Sequence, residues 1–383
     1  MNLITTTPEL AAACDHLAGA AYVAVDTEFM RETTFWPELC LVQIGGGGAE
    51  MLVDPLADGI DLAPFFALMG NERVLKVFHA ARQDIEIIRM LSGVIPRPLF
   101  DTQVAAMVCG FGESVSFSNL VKRIVGADVD KSSQFTDWAR RPLSEKQLRY
   151  ALGDVVHLAP VYESLRATID KSGRAGWLTE EIAVLTAPST YEQHPENAWQ
   201  RLKLRVKSKR AMGVLVELAE WRERTAQHDN VPRGRLLKDD AIYDIANQMP
   251  QTPEQLGALR SLHNGYARSA KGQDVLAAVK RGLERDPKQL PAIERGLPMP
   301  PEATAIADLL RVLLKAKAAE HGVATKLIAT TDDLDRIATE DEPDIAAMHG
   351  WRRQLFGEEA LKLKRGELAL AIKRGGVRGV AIG

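Results

Sequence analysis

Residues 21–29 read AYVAVDTEF, and the placing of two acids within this apolar run decides how the rest of the chain is to be understood. A short run rich in β-branched and aromatic residues is a strand. Successive strand side chains point to opposite faces, so Ala24, Asp26 and Glu28 share one face while Val23, Val25 and Thr27 share the other. Two carboxylates therefore stand side by side inside an apolar element, where an unpaired charge is costly. Cations or a solvated edge must compensate them.

Working outward, strand and helix patterns alternate over the first 180 residues or so, the signature of an α/β layer architecture. Thr7, Pro8 and Glu9 look like a capped helix start, with Thr7 as N-cap and a stop near Gly19. LCLVQIG and EMLVDPL, joined by Gly45–Gly48, predict a hairpin, and VLKVFH predicts a further strand. From Ala81 the spacing of Ile85, Ile88 and Leu91 is helical and places Asp84 in a first turn. Taken alone, Asp84 there is explained by the helix dipole. Ser144 with Gln147 fits a capping box that opens a long helix to about Ile169, on which Tyr150 and Asp154, four apart, share a face.

Asp26, Glu28, Asp84 and Asp154, with Tyr150, are the candidate catalytic residues, and the four acids the candidate metal ligands. Magnesium and manganese are hard ions that prefer oxygen, so a carboxylate cluster without cysteine suits them and not zinc. Two such ions, roughly 3.5–4 Å apart, can stabilise both the attacking and the leaving oxygen of a phosphodiester displacement. The Tyr150 hydroxyl is suited to orient the attacking water. Without cations the converging acids would repel one another and hold protons.

These segments resemble the DEDD exonucleases, in the subgroup with tyrosine in the third motif, and within them the ribonuclease D family. VAVDTEF is similar to the first motif, FHAARQDIEII to the second and YALGDVVHL to the third; LFDTQVAAM and the W-x-x-RPLS-x-x-Q-x-x-YA string in DKSSQFTDWARRPLSEKQLRYALGDV extend the likeness across residues 1 to about 200. The resemblance implies a ribonuclease H-like fold, a mixed sheet flanked by helices, and hydrolytic release of nucleoside 5'-monophosphates from an RNA 3' end. By the same resemblance Asp26 would bridge two metals, Glu28 and Asp154 would hold the nucleophile-side ion, Asp84 would support the other, and Tyr150 would position the water. RNA with a free 3' end is the expected partner, with tRNA precursors as the expected class. A DNA-directed exonuclease using the same acids, and a silent RNA-binding module, are the alternatives.

Weaker candidates for substrate binding surround these motifs. Phe29 could wedge against the terminal base or pack in the core. His79 and His157 are read as structural histidines that could also approach substrate, and Gln83 as a polar neighbour of Asp84 within reach of the terminal nucleotide. Trp138, Arg140 and Arg141 are read as substrate contacts or as a loop anchor, with Trp138 structural.

A polar, proline-bearing stretch from Thr186 to Trp199 reads as a linker, after which the pattern is helical. ELAEWRERTAQHDNVPRGRLLKDDAI resembles the HRDC domain, and after a second linker, DPKQLPAIERGLPMPPEA, the remainder resembles a diverged second copy. The expected organisation is an exonuclease domain over 1–195, an HRDC domain over 205–287 and a second, all-α HRDC-like domain over 300–383. The net charge of -3 argues weakly against a nucleic-acid binder. Its distribution argues the other way: from Arg201 to Lys238 eleven Lys or Arg face four Asp or Glu, and Arg205, Lys207 and Lys209 are candidate phosphate contacts unless they merely solvate a helix. No apolar run approaches the ~18 residues of a membrane span, and MNLITTTPEL lacks a signal peptide's basic start, so a cytosolic protein without a membrane partner is expected. No apolar stripe demands another subunit, which predicts a monomer. Cys14, Cys40 and Cys109 are far apart among apolar neighbours and read as free thiols.

Overall fold

The computed structural model describes residues 3–203, 205–263, 265–291 and 299–382. Its contacts divide the chain into two units: Met1–Glu28 with Leu39–Thr190 and Pro298–Gly383, and Phe29–Glu38 with Tyr191–Leu297.

The first unit is built on a six-stranded sheet of β1 (Leu3–Ile4), β2 (Tyr22–Met30), β3 (Glu38–Gly46), β4 (Ala49–Val53), β5 (Leu75–Phe78) and β6 (Leu99–Asp101), in the order β1-β4-β3-β2-β5-β6. It is mixed: β1/β4, β2/β5 and β5/β6 are parallel, and β3/β4 is the expected antiparallel hairpin. From the N-terminal part of this unit come α1 (Thr7–Leu17), α2 (Ala63–Gly70), α3 (Arg82–Ser92), α4 (Thr102–Val108), α5 (Phe117–Ile124), α6 (Glu145–Ser172) and α7 (Ala175–Leu185). Thr6, not Thr7, is the N-cap of α1; its hydroxyl donates to the Glu9 carboxylate at 2.9 Å. The Ser144 capping box opens α6 as expected, the Ser144 hydroxyl accepting from Gln147 N while the Gln147 side chain accepts from Ser144 N. Gly45 lies under α6, where a Cβ would meet that of Val155 at 3.4 Å, an ordinary packing distance.

The second unit contains α8 (Lys209–Asp229), α9 (Arg233–Leu236), α10 (Asp239–Gln248), α11 (Pro253–Gly257) and α12 (Ala270–Glu284). Two differences from the expected boundaries appear here. The stretch read as a first linker includes a 3-10 helix, Pro195–Arg201, whose Ala198 is buried in this unit's core with Leu215 and Leu218 of α8. The loop Phe29–Glu38 belongs to this unit as well: Phe35 is buried with Ala226 and Leu236, and Asn230 Oδ1 accepts the backbone N–H groups of Phe35 (3.1 Å) and Trp36 (2.9 Å). The aromatic pair carries the loop; its sequence has no period that would announce where it docks. The second expected linker lies partly outside the described residues.

The C-terminal stretch holds α13 (Pro301–His321), α14 (Thr325–Ile328), α15 (Thr331–Thr339), α16 (Gly350–Arg352), α17 (Glu358–Lys364), β7 (Leu368–Lys373) and β8 (Gly376–Ala381). It departs from the expected all-α copy, because β7 and β8 pair as an antiparallel hairpin. It is also not a separate body. Leu310, Leu313 and Phe356 share one core with Val108, Leu158 and Leu165 of α4 and α6. Trp177 of α7 stacks on Trp351 at 4.2 Å and 12°. Arg174 donates to the carbonyls of Val108, His321 and Gly322. Among the described residues no helix is long and apolar enough to cross a membrane.

Candidate active site

β2 carries Asp26 and Glu28 on the face that α6 covers, and α6 brings Asp154 down beside them. One carboxylate oxygen from each of the three lies within 4.8 Å of the others. Residues separated by about 130 positions in sequence thus converge. Asp84, in the first turn of α3, stands outside this close group; it is buried and accepts the Thr27 hydroxyl on Oδ1 at 2.5 Å. The Thr27 hydroxyl thus ties the α3 acid to the strand that carries Asp26 and Glu28, and Asp26 is the nearby charge that acts most on it.

Asp101 organises the turn before α3. Its carboxylate caps α4 through Gln103 N (2.7 Å) and Val104 N (3.2 Å) and also accepts from Ala80 N (3.1 Å) and Ala81 N (2.8 Å). Ala80 has φ of 59°, a conformation rarely adopted by residues other than glycine, and the bonds to Asp101 hold it there. Sequence reading missed this role, although Asp followed by a helix in FDTQVAAM is an N-cap signal.

The electrostatics are those of acids crowded in a low-dielectric site. Burial pushes Asp26 up to about 7, opposed by a bond from the Thr27 backbone. Burial, then the charges of Asp26, Asp154 and Asp84, push Glu28 up to about 10. Asp154 is raised to about 8 by burial and by Asp26. Asp84 is raised well above the carboxylate range, by burial and then by Asp26, against the bond from Thr27. The same causes raise Tyr150, whose phenol keeps its proton throughout the neutral range. Clustered carboxylates that resist ionisation alone are a donor set for hard cations: oxygen-only, and stabilised in their charged form when positive charge arrives.

A cavity beside the acids is lined by Asp26, Tyr150 and Asp154 and also by His79, Phe117, Lys131 and Gln134. Phe117, Lys131 and Gln134 were not singled out from sequence; nothing in their local pattern marks them. His79 shares a 3.0 Å hydrogen bond with the Thr102 hydroxyl and packs its ring 5.3 Å from that of Phe117. Burial holds its imidazole below the ordinary value despite Asp101, so it is neutral at pH 7. Trp138 is buried and its ring lies 5.9 Å from that of Tyr150. Arg141 donates to both oxygens of Asp54 (2.8 and 2.7 Å) and to the carbonyls of Cys40 and Trp138, so Trp138 and Arg141 anchor the loop.

The remaining candidates do not line this cavity. Gln83 is exposed at the start of α3 and does not line the cavity. Phe29 is half-buried and groups with the second unit. His157 lines a neighbouring cavity with Lys146 and Arg149. Arg205, Lys207 and Lys209 are exposed on the second unit, where Arg205 stands 3.9 Å from Asp240 and Lys209 reaches the Pro287 carbonyl at 3.5 Å. Much of the surrounding positive charge is spent internally: Arg201 and Arg233 both pair with buried Glu223, and Arg222 with Asp239.

Comparison with known proteins bears on this geometry. Residues 1–170 match the family model for 3'-5' exonucleases, and residues 211–279 that of the HRDC domain. The chain is 55% identical over 380 residues to ribonuclease D of Nitrobacter hamburgensis, an alignment covering 98% of each chain. It is 47% identical over 376 residues to ribonuclease D of Granulibacter bethesdensis, covering 97% of this chain and 94% of that one. Its structure is similar to that of Escherichia coli RNase D, described as an exoribonuclease involved in structured RNA processing, with a TM-score of 0.84 and 28% identity over 96% of this chain and 99% of that chain.

Proposed function

The chain belongs to the ribonuclease D family and is a 3'-5' exoribonuclease, and from that premise we propose that Asp26, Glu28, Asp84 and Asp154 hold two divalent cations, magnesium or manganese, at which Tyr150 directs water onto the terminal phosphodiester. The observation that carries this reading is the approach of three carboxylates from β2 and α6 to within 4.8 Å. Bound there, such ions would supply positive charge to the oxygens on which negative charge develops.

The chain's own residues do the rest. Tyr150, kept protonated by burial and its acidic neighbours, can orient water by hydrogen bonding without itself becoming a charge. Trp138 packs beside its ring, with centroids 5.9 Å apart, and would limit the ring's movement. The Thr27 hydroxyl fixes one Asp84 oxygen and leaves the other for a ligand. Neutral His79 and Phe117 would offer ring faces to the terminal base or sugar within the cavity they line; Phe29 and Gln83 are secondary candidates for the same nucleotide. Arg205, Lys207 and Lys209 of the helical unit are proposed to attract RNA phosphates, and residues 300–383 to serve chiefly as a packing support for the nuclease.

The substrate we propose is structured RNA with a free 3' hydroxyl, tRNA precursors included, acted on by a cytosolic monomer. The likeness to a relative described as processing structured RNA supports the substrate class. The test is release of nucleoside 5'-monophosphates from matched RNA and DNA oligonucleotides. Metal-dependent release from RNA, abolished by Asp26→Ala while RNA binding is retained, is expected. Faster release from DNA, or full activity of Asp26→Ala, would overturn the reading.

A further inference from the structure

Phe135 is 93% exposed, more than any other large hydrophobic side chain among the described residues. A phenyl ring in water gains nothing from packing and keeps its full apolar surface wet. Its place is not random. The preceding residue, Gln134, lines the catalytic cavity together with Asp130 and Lys131, so the ring stands one residue outside the rim of the pocket that holds Asp26, Tyr150 and Asp154.

Nor does it hang from a loose strand of chain. Asp130 accepts from Ser132 N at 2.8 Å and from the Ser132 hydroxyl at 2.9 Å. Gln134 N donates to the Lys131 carbonyl and Thr136 N to that of Ser133. The Thr136 hydroxyl also donates to Ser133 O at 2.8 Å and accepts from Gln147 Nε2 of α6 at 3.2 Å. Buried Ser133 and buried Trp138 pin the turn on either side of the ring, and Trp138 is the residue packed against Tyr150. An apolar ring presented to solvent on a braced turn, three residues before the tryptophan that packs beside Tyr150, is a surface prepared for a flat partner.

We propose that Phe135 is a stacking platform for a base of the RNA strand upstream of the terminal nucleotide. The inference rests on the exoribonuclease reading of the carboxylate pocket. Cleavage requires the terminal phosphodiester to reach the acids, which takes the last nucleotide inside the cavity. A ring outside the rim is reachable only by bases that have yet to enter. Every base offers a π face, so such a platform grips the strand without reading sequence, as an exonuclease that advances by one nucleotide requires.

The test measures KM and kcat for a ten-nucleotide RNA and for a dinucleotide with wild type, Phe135→Ala and Phe135→Trp. Because the side chain is exposed, neither variant should unfold the protein. Phe135→Ala is expected to raise KM for the long RNA about tenfold with kcat unchanged, the effect of losing one base–aromatic stack. The dinucleotide should be unaffected, and Phe135→Trp should behave as wild type. An abasic residue at one position near the 3' end should cost wild type the same factor and erase its advantage over Phe135→Ala. Equal KM values for wild type and Phe135→Ala on the long RNA, or an equal loss on the dinucleotide, would overturn the proposal. Absence of wild-type turnover on both substrates would instead count against the carboxylate site.

Discussion

The carboxyl groups of Asp26, Glu28 and Asp154 hold protons at pH values where exposed acids have lost them, and this has a thermodynamic consequence. Each binds its proton more tightly in the folded chain than in the unfolded one, so the metal-free folded state carries the excess protons from about pH 4 upward. That excess ends near 7 for Asp26, 8 for Asp154 and 10 for Glu28. Stability therefore falls as pH rises through this window. In chelator, the melting temperature of wild type is expected to drop between pH 5 and 9, whereas Asp154→Asn, with one ionisable group fewer, should drop less; parallel curves would contradict the electrostatic account. At this scale the convergence of Asp26, Glu28, Asp154 and Tyr150 was legible because an acid inside an apolar strand and an acid four positions from a tyrosine are unusual in combination. What stayed hidden was their support: the Thr27–Asp84 bond and the fourfold acceptance by Asp101 depend on side chains whose types are ordinary.

Secondary-structure elements were legible where their ends carry chemistry. The glycine turn between β3 and β4 and the capping box of α6 follow from local sequence. The β7–β8 hairpin was missed because LALAI has apolar residues that fit a helical face as well as a strand, although Gly366 ends the helix before it and Arg374 and Gly375, both at positive φ, turn the chain between the strands. In the irregular loop from Asp128 to Pro142, Arg141 is the side chain that ties the segment to the sheet. Arg141 bridges Asp54 at the end of β4 to the carbonyls of Cys40 and Trp138, and so places Trp138 against Tyr150. Arg141→Ala would leave Asp54 buried without its partner, and an unfolding midpoint shift equivalent to about 3 kcal/mol is expected, with kcat lowered more than KM is raised. Arg141→Lys should not rescue it, since an ammonium cannot reproduce the fork. A variant of wild-type stability would remove Arg141 from this role.

At the scale of the molecule, two linker-like stretches and the resemblance to HRDC domains predicted three separate domains, and the structure contains two compact units. Periodicity reports that a helix has an apolar face but not which surface covers it, so α13 to α17 read as an independent domain although they share a core with α4 and α6. Gly110 marks the joint: with φ of 78°, a Cβ there would run into the Gly322 carbonyl oxygen. Trp351→Ala, which removes the stack on Trp177, is expected to destabilise the nuclease fold by about 3 kcal/mol or more and to lower activity at elevated temperature, although the residue lies far from the acids in sequence. Loss of only the C-terminal helices' own signal, with the nuclease melting unchanged, would restore the separate-domain view. The account as a whole stands on one pocket assembled from distant parts of the chain. Anomalous scattering from manganese soaked into crystals tests it most directly: ions bound among Asp26, Glu28 and Asp154, with Asp84 beside them, are predicted, and manganese found only elsewhere on the protein, in crystals of active enzyme, would contradict it.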